Sequence, residues 1–561
     1  MSVMLWGAGS LRGQGHPTPL GPADVLILVN ADSPCSRSVA DLYRRFYPGI
    51  ADEQVVYLYG LPDSAALSAT PAQEIITRQQ FETLIAQPVR DYLIATGLVN
   101  NVYCIITTAG MPYRIKDTNP LLANVVYPNG SNPTLTLDNR DVVNAASVES
   151  ELAVLFQIDS AVPAGARMPI NGRVVNPYQG YADGIKSWAS IRDIIGRRTS
   201  FRWDTGTLWM IQKPPRIEGE LRWENWQMCG FSAYNRRLSP ADIYLVARLD
   251  GPRQAGTYPI FSVHQMLKRA AAAGNPSIGY NPALSTAVID NAPNAPDVYA
   301  YSRILNFPPQ YDVLSFSQHS IPPGAEEYSG QFSEGNHFMR TFYWLTGMSP
   351  PSDVIVTHDI DIGLGGVAVW DDTNTIMNQN YLASGAGIIG LLTYGRNGGD
   401  GRPAGYLLTS GPDGGNLFKC VPGAVFASLE SFNAVTMFTD VNTLPSAQGK
   451  IVDFIQMGGT AAVGHSFEPV RCAAIQGEFL FRNLLRDDDM DGVGDLTLVE
   501  AAFSALPYLS WSEVLIGDPL MRLRHGPGAL VNTVECREDV DGNGIIRFSD
   551  MVAVQWYLFA R

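Results

Sequence analysis

The sequence predicts an α/β protein with a parallel sheet in two halves and a small calcium-binding unit at its C-terminal end. Three observations predict it. Apolar, β-branched runs alternate with amphipathic segments at both ends of the body, the pattern of strands covered by helices on both faces. With 46% hydrophobic and 17% charged residues, 561 residues can bury large cores. The segment "DVDGNGIIRFSD", residues 539–550, sets Asp and Asn at the spacing of a calcium loop.

Residues 1–21 are rich in Gly and Pro and read as a disordered tail. "ADVLILVN" (23–30) is a buried-strand run, and "SRSVADLYRRFYPG" is a serine-capped helix that stops at Pro48-Gly49. "EQVVYLYG" is a second strand, "TRQQFETLIAQPVRDYLIATG" an amphipathic helix, and "NVYCIITTAG" a strand with β-branched bias. Residues 115–235, rich in Asn, Pro, Gly and Trp, read as long loops and short strands. "ADIYLVARLDGP" (241–252) returns to the strand pattern and "FSVHQMLKRAAAAG" (261–274) is a helix. "YDVLSFSQHS" (311–320) reads as another strand, and "SDVIVTHDI" (352–360), "AGIIGLLTYG" (386–395) and "GAVFASLESFNA" (423–434) as further strands or a strand entering a helix. A helix "AQGKIVDFIQMGG", a strand "TAAVGHSFEPV", helices "GEFLFRNLL" and "TLVEAAFSALPYLS", and a closing "EVLIGDPLMRL" follow. The body divides into α/β halves over 22–255 and 256–528, with the calcium unit over 529–561.

A net charge of −15 argues against nucleic acid, whose phosphates need a Lys/Arg surface, and favours cation binding. No apolar run approaches the ~20 residues of a membrane span. The six cysteines (35, 104, 229, 420, 472 and 536) are scattered without a CxxC, which disfavours a zinc cluster. They read as free core thiols, with one or two bridges as the alternative. The apolar patch Val3 to Trp6 is shorter than the ~7–15 residues of a signal-peptide core, so no export signal is evident.

In the terminal loop Asp539, Asp541 and Asn543 take positions 1, 3 and 5, Gly544 makes the turn at 6, the Ile545 carbonyl serves at 7 and Asp550 at 12. Arg547 at position 9 leaves that place to water. The competing reading is an Asp/Asn/Gly turn that caps the helix "MVAVQWYLF". A second run, "DDDMDGVGD", sets Asp487, Asp489, Asp491 and Asp495 at positions 1, 3, 5 and 9, but Leu498 falls at 12. Five carboxylates in nine residues, four of them at ligand positions, repel one another and a divalent ion relieves that; a solvated acidic loop is the alternative. Such sites suit millimolar extracellular calcium.

The loop, its exiting helix and Asp550 resemble one repeat of a dockerin, the module with which bacterial extracellular proteins dock onto cohesins. Dockerins carry two such repeats and one is present here. The resemblance implies Ca2+ as cofactor, a cohesin-like protein or cell-surface assembly as partner, and an extracellular or cell-surface location. "VLILVNADSPCSRSVADLYRRFYPGI", "YLVARLDGP" and "LTLVEAAFSALPYLSWSEVLIGDPLMRL" together resemble an uncharacterised family of exported bacterial proteins, over roughly residues 22–525. The closing "GDPL" is also similar to the end of the gingipain-type cysteine peptidase domain, which implies a caspase-like parallel-sheet core.

A caspase-like peptidase needs a His-Gly after one core strand and a Cys after the next. The matching segments here are "TYGRNGGD" (393–400) and "ASLESFNA" (427–434), and both catalytic types are missing from them. Cys420 precedes the second strand, where it would not be presented as a nucleophile. No HExxH, GxSxG or P-loop occurs. "VTHDIDIG" offers His358, Asp359 and Asp361 as mixed metal ligands or as a hydrogen-bonded loop. In a caspase-like sheet the loops carrying Glu430 and Ser431, and His465, Ser466 and Glu468, meet at one edge. Ser431, His465, Glu468 and Glu430 then form a candidate acyl-transfer cluster, or else a satisfied polar network. The leading expectation is an exported calcium-binding protein with a binding or structural role, a non-catalytic relative of caspase-like peptidases. The alternatives are an extracellular hydrolase using the Ser/His/Glu cleft and a dockerin-bearing subunit of a polysaccharide-degrading assembly.

Overall fold

The computed structural model describes residues 19–116, 146–156, 174–176, 178, 243–253, 258–274, 285–290, 368–371, 387–393, 407, 420–428, 430, 432–439, 449–467, 475, 477–485, 493–506 and 508–523. Fifteen strands occur among them. Ten form one sheet: β1 Val25–Asn30, β2 Val55–Leu58, β4 Cys104–Thr108, β8 Leu245–Leu249, β9 Ser285–Asp290, β10 Ala368–Asp371, β11 Gly387–Thr393, β12 Cys420–Ser428, β13 Ala461–His465 and β15 Glu513–Ile516. A small sheet holds β3 Ile75–Thr77, β5 Arg114–Lys116 and β6 Ala146–Ser147, and a two-stranded one pairs β7 Val174–Val175 with β14 Tyr508–Leu509.

The main sheet runs β10-β9-β11-β12-β13-β15-β8-β4-β1-β2. The expected α/β class with a large, mostly parallel sheet is therefore what the chain forms. Strands β2, β1, β4 and β8 are mutually parallel, as are β10, β9, β11, β12 and β13. The joint between these sets is β15. It runs parallel to β8 through Ile516 and Arg248, and antiparallel to β13 from Ala462–Ile516 to His465–Glu513. Strands from both expected halves thus share one sheet, and the last strand among the described residues lies between them.

Local chemistry explains the elements. All six residues of β1 are buried, as a strand covered on both faces requires. Helix α1 (Pro34–Phe46) starts where Ser33 accepts the Ser36 N–H and Pro34 fills the first turn. Helix α2 (Gln87–Thr96) continues a helical run from Arg78 through the π-turn Phe81–Ala86, and ends at Gly97, whose φ of 71° suits glycine. Helix α3 (Val148–Leu152) packs on β8 and β15. Helix α4 (Ile260–Ala273) packs on both α1 and β12, so it spans the two sets of strands. Helices α5 (Ile451–Gln456), α6 (Gly477–Leu485) and α7 (Leu498–Ala505) follow, with α6 and α7 against each other. Thr497 and Glu500 form the capping box that opens α7, the Glu500 carboxylate accepting the Thr497 N–H.

Strands β9 and β10 are a correction to the sequence reading, which passed over "STAVID" and "AVWD". The expected strands at 311–320 and 352–360 lie outside the described residues. Among the described residues, no helix is long and apolar enough to cross a membrane.

Candidate functional site

Two buried polar clusters lie among the described residues. The first is ionic. Arg248, in β8, is fully buried. Its Nε donates to Asp250 Oδ2 at 2.8 Å, its Nη1 to Glu149 Oε1 at 2.9 Å and its Nη2 to the Met111 carbonyl. The guanidinium stacks 4.9 Å from the centre of the Tyr113 ring. Asp250 Oδ2 also accepts from Arg253 Nη2 at 2.6 Å. Arg253 Nη1 reaches Glu74 Oε1 at 3.1 Å and the Ser64 carbonyl at 2.7 Å. Two arginines and three carboxylates thereby interlock in the interior, each making at least one charge-assisted bond.

Burial disfavours the Arg248 cation, but Asp250 and Glu149 outweigh it and hold its pKa above the ordinary arginine value. Burial raises the Glu74 carboxyl, against the pull of Arg253, and raises Glu149 against the pull of Arg248. Sequence reasoning missed this cluster because its members are up to 179 positions apart. One signal was present: "ARLDGPR" sets two arginines and an aspartate at the end of an apolar strand run, where charges are rarely buried unless paired.

The second cluster surrounds His465, the last residue of β13 and fully buried. Its Nδ1 lies 3.1 Å from the Glu430 backbone carbonyl, which can only accept, so this nitrogen carries a proton. Its N–H donates to Asn433 Oδ1 at 2.6 Å, and its carbonyl accepts the Ala434 N–H at 2.9 Å. Glu430 is equally buried, and its carboxylate is used elsewhere: Oε2 accepts Ser428 Oγ and Oε1 accepts the Gly449 N–H, both at 2.9 Å. Of the candidate acyl-transfer residues, the structure brings Glu430 and His465 together, through the Glu430 main chain. Ser431 and Glu468 lie outside the described residues. Phe432, next in the chain, holds a left-handed φ of 58°, an uncommon conformation for a bulky side chain.

Glu513, which sequence reasoning also missed, is the register partner of His465 on β15 and is 3% exposed. The two backbones turn away from each other there: His465 bonds to Asn433 and Ala434, and the Glu513 carbonyl accepts Ser147 Oγ. That is the non-hydrogen-bonded kind of antiparallel pair, in which opposed side chains stand closest.

The described thiols are not poised as nucleophiles. Cys35 and Cys420 are each pushed up to about 12, mainly by burial, and burial also raises Cys104. Of the expected calcium ligands, Asp495 is described and is fully buried just before α7. Asp487, Asp489 and Asp491, the loop ligands Asp539, Asp541, Asn543, Ile545 and Asp550, and His358, Asp359 and Asp361 lie outside the described residues. Among the described residues no group of three or more His, Cys, Asp or Glu side chains could hold a metal ion. No protein family, curated protein or solved structure matches the chain.

Proposed function

We propose that the chain is an exported bacterial calcium-binding α/β protein. Its large domain is a binding or structural relative of caspase-like peptidases, without their thiol chemistry. The spacing of Asp539, Asp541, Asn543, Gly544, Ile545 and Asp550 carries the calcium reading, because it supplies oxygen ligands at five positions around a glycine turn. What supports the caspase-like reading is the order of parallel strands β9, β11, β12 and β13 followed by the antiparallel β15. The segments that match a peptidase's His and Cys positions follow β11 and β12, which are adjacent strands. The raised thiols and the internally engaged Glu430 carboxylate support a non-catalytic body.

The dockerin-like tail favours an extracellular or cell-surface location and a cohesin-like partner. Isothermal titration of the intact chain tests the metal. Ca2+ should bind with a dissociation constant on the order of 10⁻⁵ to 10⁻³ M, as in extracellular modules. Asp550→Ala should weaken it more than Asp541→Asn, which keeps an oxygen ligand. No heat of binding across that range, or binding that survives Asp539→Ala with Asp550→Ala, contradicts the reading.

One observation favours a second reading, hydrolysis. The turn after β12 folds directly onto His465 and holds Phe432 in a left-handed conformation, and such outliers cluster at working sites. Labelling of the native protein by a fluorophosphonate, abolished by Ser431→Ala, selects that reading; an unlabelled protein selects the first.

A further inference from the structure

Residues 432–439 run without regular structure from the end of β12 toward α5, and their polar backbone is held from two sides. On one side is the ionic cluster. The Met437 N–H donates to Glu74 Oε1 at 3.0 Å, and the Tyr113 hydroxyl donates to the Ala434 carbonyl at 2.9 Å. Arg253 pairs with the segment through its own main chain, its N–H donating to the Met437 carbonyl at 2.8 Å and its carbonyl accepting the Thr439 N–H at 2.9 Å. Its guanidinium faces the Phe438 ring at 5.9 Å. On the other side is His465, bonded to Asn433 and Ala434. Lys450 Nζ ties the far end by donating to the Phe438 and Thr439 carbonyls at 2.7 and 3.0 Å.

We propose that residues 432–439 are a latched strap: Glu74, Tyr113 and Arg253 hold it shut over His465, and its release uncovers the Glu430–His465 cluster. A segment with no helix or sheet ladder of its own depends on those side chains to satisfy its buried backbone. The left-handed Phe432 at its root is a conformation that only an over-determined setting maintains, so opening relieves it. Of the latch residues, Glu74 and Tyr113 directly precede β3 and β5 of the small sheet and Arg253 follows β8, while the covered histidine ends β13. The strap therefore couples a cluster around β8 to a site on β13. The inference rests on the reading of Glu430 and His465 as the candidate site, but its test reads accessibility and holds or fails whether or not that site does chemistry.

The test combines hydrogen–deuterium exchange with diethyl pyrocarbonate labelling on the full chain. In the parent protein His465 should stay unmodified while the half-buried His264 reacts. Glu74→Ala should speed exchange across 432–439 about tenfold or more and make His465 reactive, with exchange in β1 and β4 unchanged. Glu74→Gln, which keeps an acceptor for the Met437 N–H, should give a smaller rise. Should Glu74→Ala fail to fold, Tyr113→Phe carries the test through loss of one bond to Ala434. Unchanged protection at 432–439, or faster exchange spread equally through β1 and β4, overturns the latch.

Discussion

The Tyr43 hydroxyl donates to Asp518 Oδ1 over 2.9 Å, joining α1 to the turn after β15 across 475 positions of sequence. Tyr47, one turn further along α1, donates to the other oxygen over 2.6 Å, and the Leu520 N–H to Oδ1 over 3.0 Å. The aspartate of "GDPL" is thus a buried anchor for the first helix, and burial raises its carboxyl against the pull of both tyrosines. Tyr43→Phe should lower unfolding free energy by about 1–2 kcal/mol, the cost of removing one donor from a buried acceptor. Chemical denaturation measures it; a change under about 0.3 kcal/mol would mean that Tyr47 alone satisfies the carboxylate.

Arg248 is the centre of the ionic cluster, and its removal should cost far more than its replacement by shape. Arg248→Ala strands Glu149 in the interior and leaves Asp250 to Arg253 alone, a loss of about 3–5 kcal/mol. Arg248→Met together with Glu149→Gln should recover part of that loss by removing the stranded charge, with Asp250 still held by Arg253. Urea midpoints of the two variants compare them, and equal stability would show that water reaches the carboxylates.

Asp453, in α5, has its carboxyl raised from 3.8 to about 6, chiefly by burial, with Lys450 Nζ 3.9 Å away pulling it down. A raised carboxyl binds its proton more tightly in the folded protein. Its contribution to stability is therefore full below about pH 4 and is lost as pH rises through about 6. Asp453→Asn should remove that slope, so the parent's advantage over the variant shrinks between pH 4 and pH 7. A pH-independent difference in unfolding free energy argues against the shift.

Most of the strands legible in the sequence form apolar runs inside the sheet (β1, β4, β8, β11, β12 and β13), and the edge strand β2 was legible through its run "VVYL". β9 ("STAVID") and β10 ("AVWD"), at one margin, have only short apolar stretches flanked by polar residues, so neither stands out as an apolar run. The joint at β15 was invisible for another reason. "EVLI" opens the closing segment as a short apolar run, but nothing local says that it pairs with β8 and β13 rather than with its neighbours in sequence. At the candidate site, His465 and Glu430 were found because each follows a strand run. Glu513 was not, because it precedes one and meets His465 only through the register of an antiparallel pair.

Calcium at residues 539–550 is the claim on which the extracellular reading depends, and limited proteolysis of the intact protein tests it most directly. In millimolar Ca2+ the account predicts that cleavage within 526–561 slows severalfold relative to EDTA, because ligation orders the loop and the helix that Asp550 opens. Asp550→Ala should abolish the difference while leaving cleavage of the body unchanged. A tail cut equally fast with calcium and with EDTA would contradict the account: the loop would then be a turn without a metal.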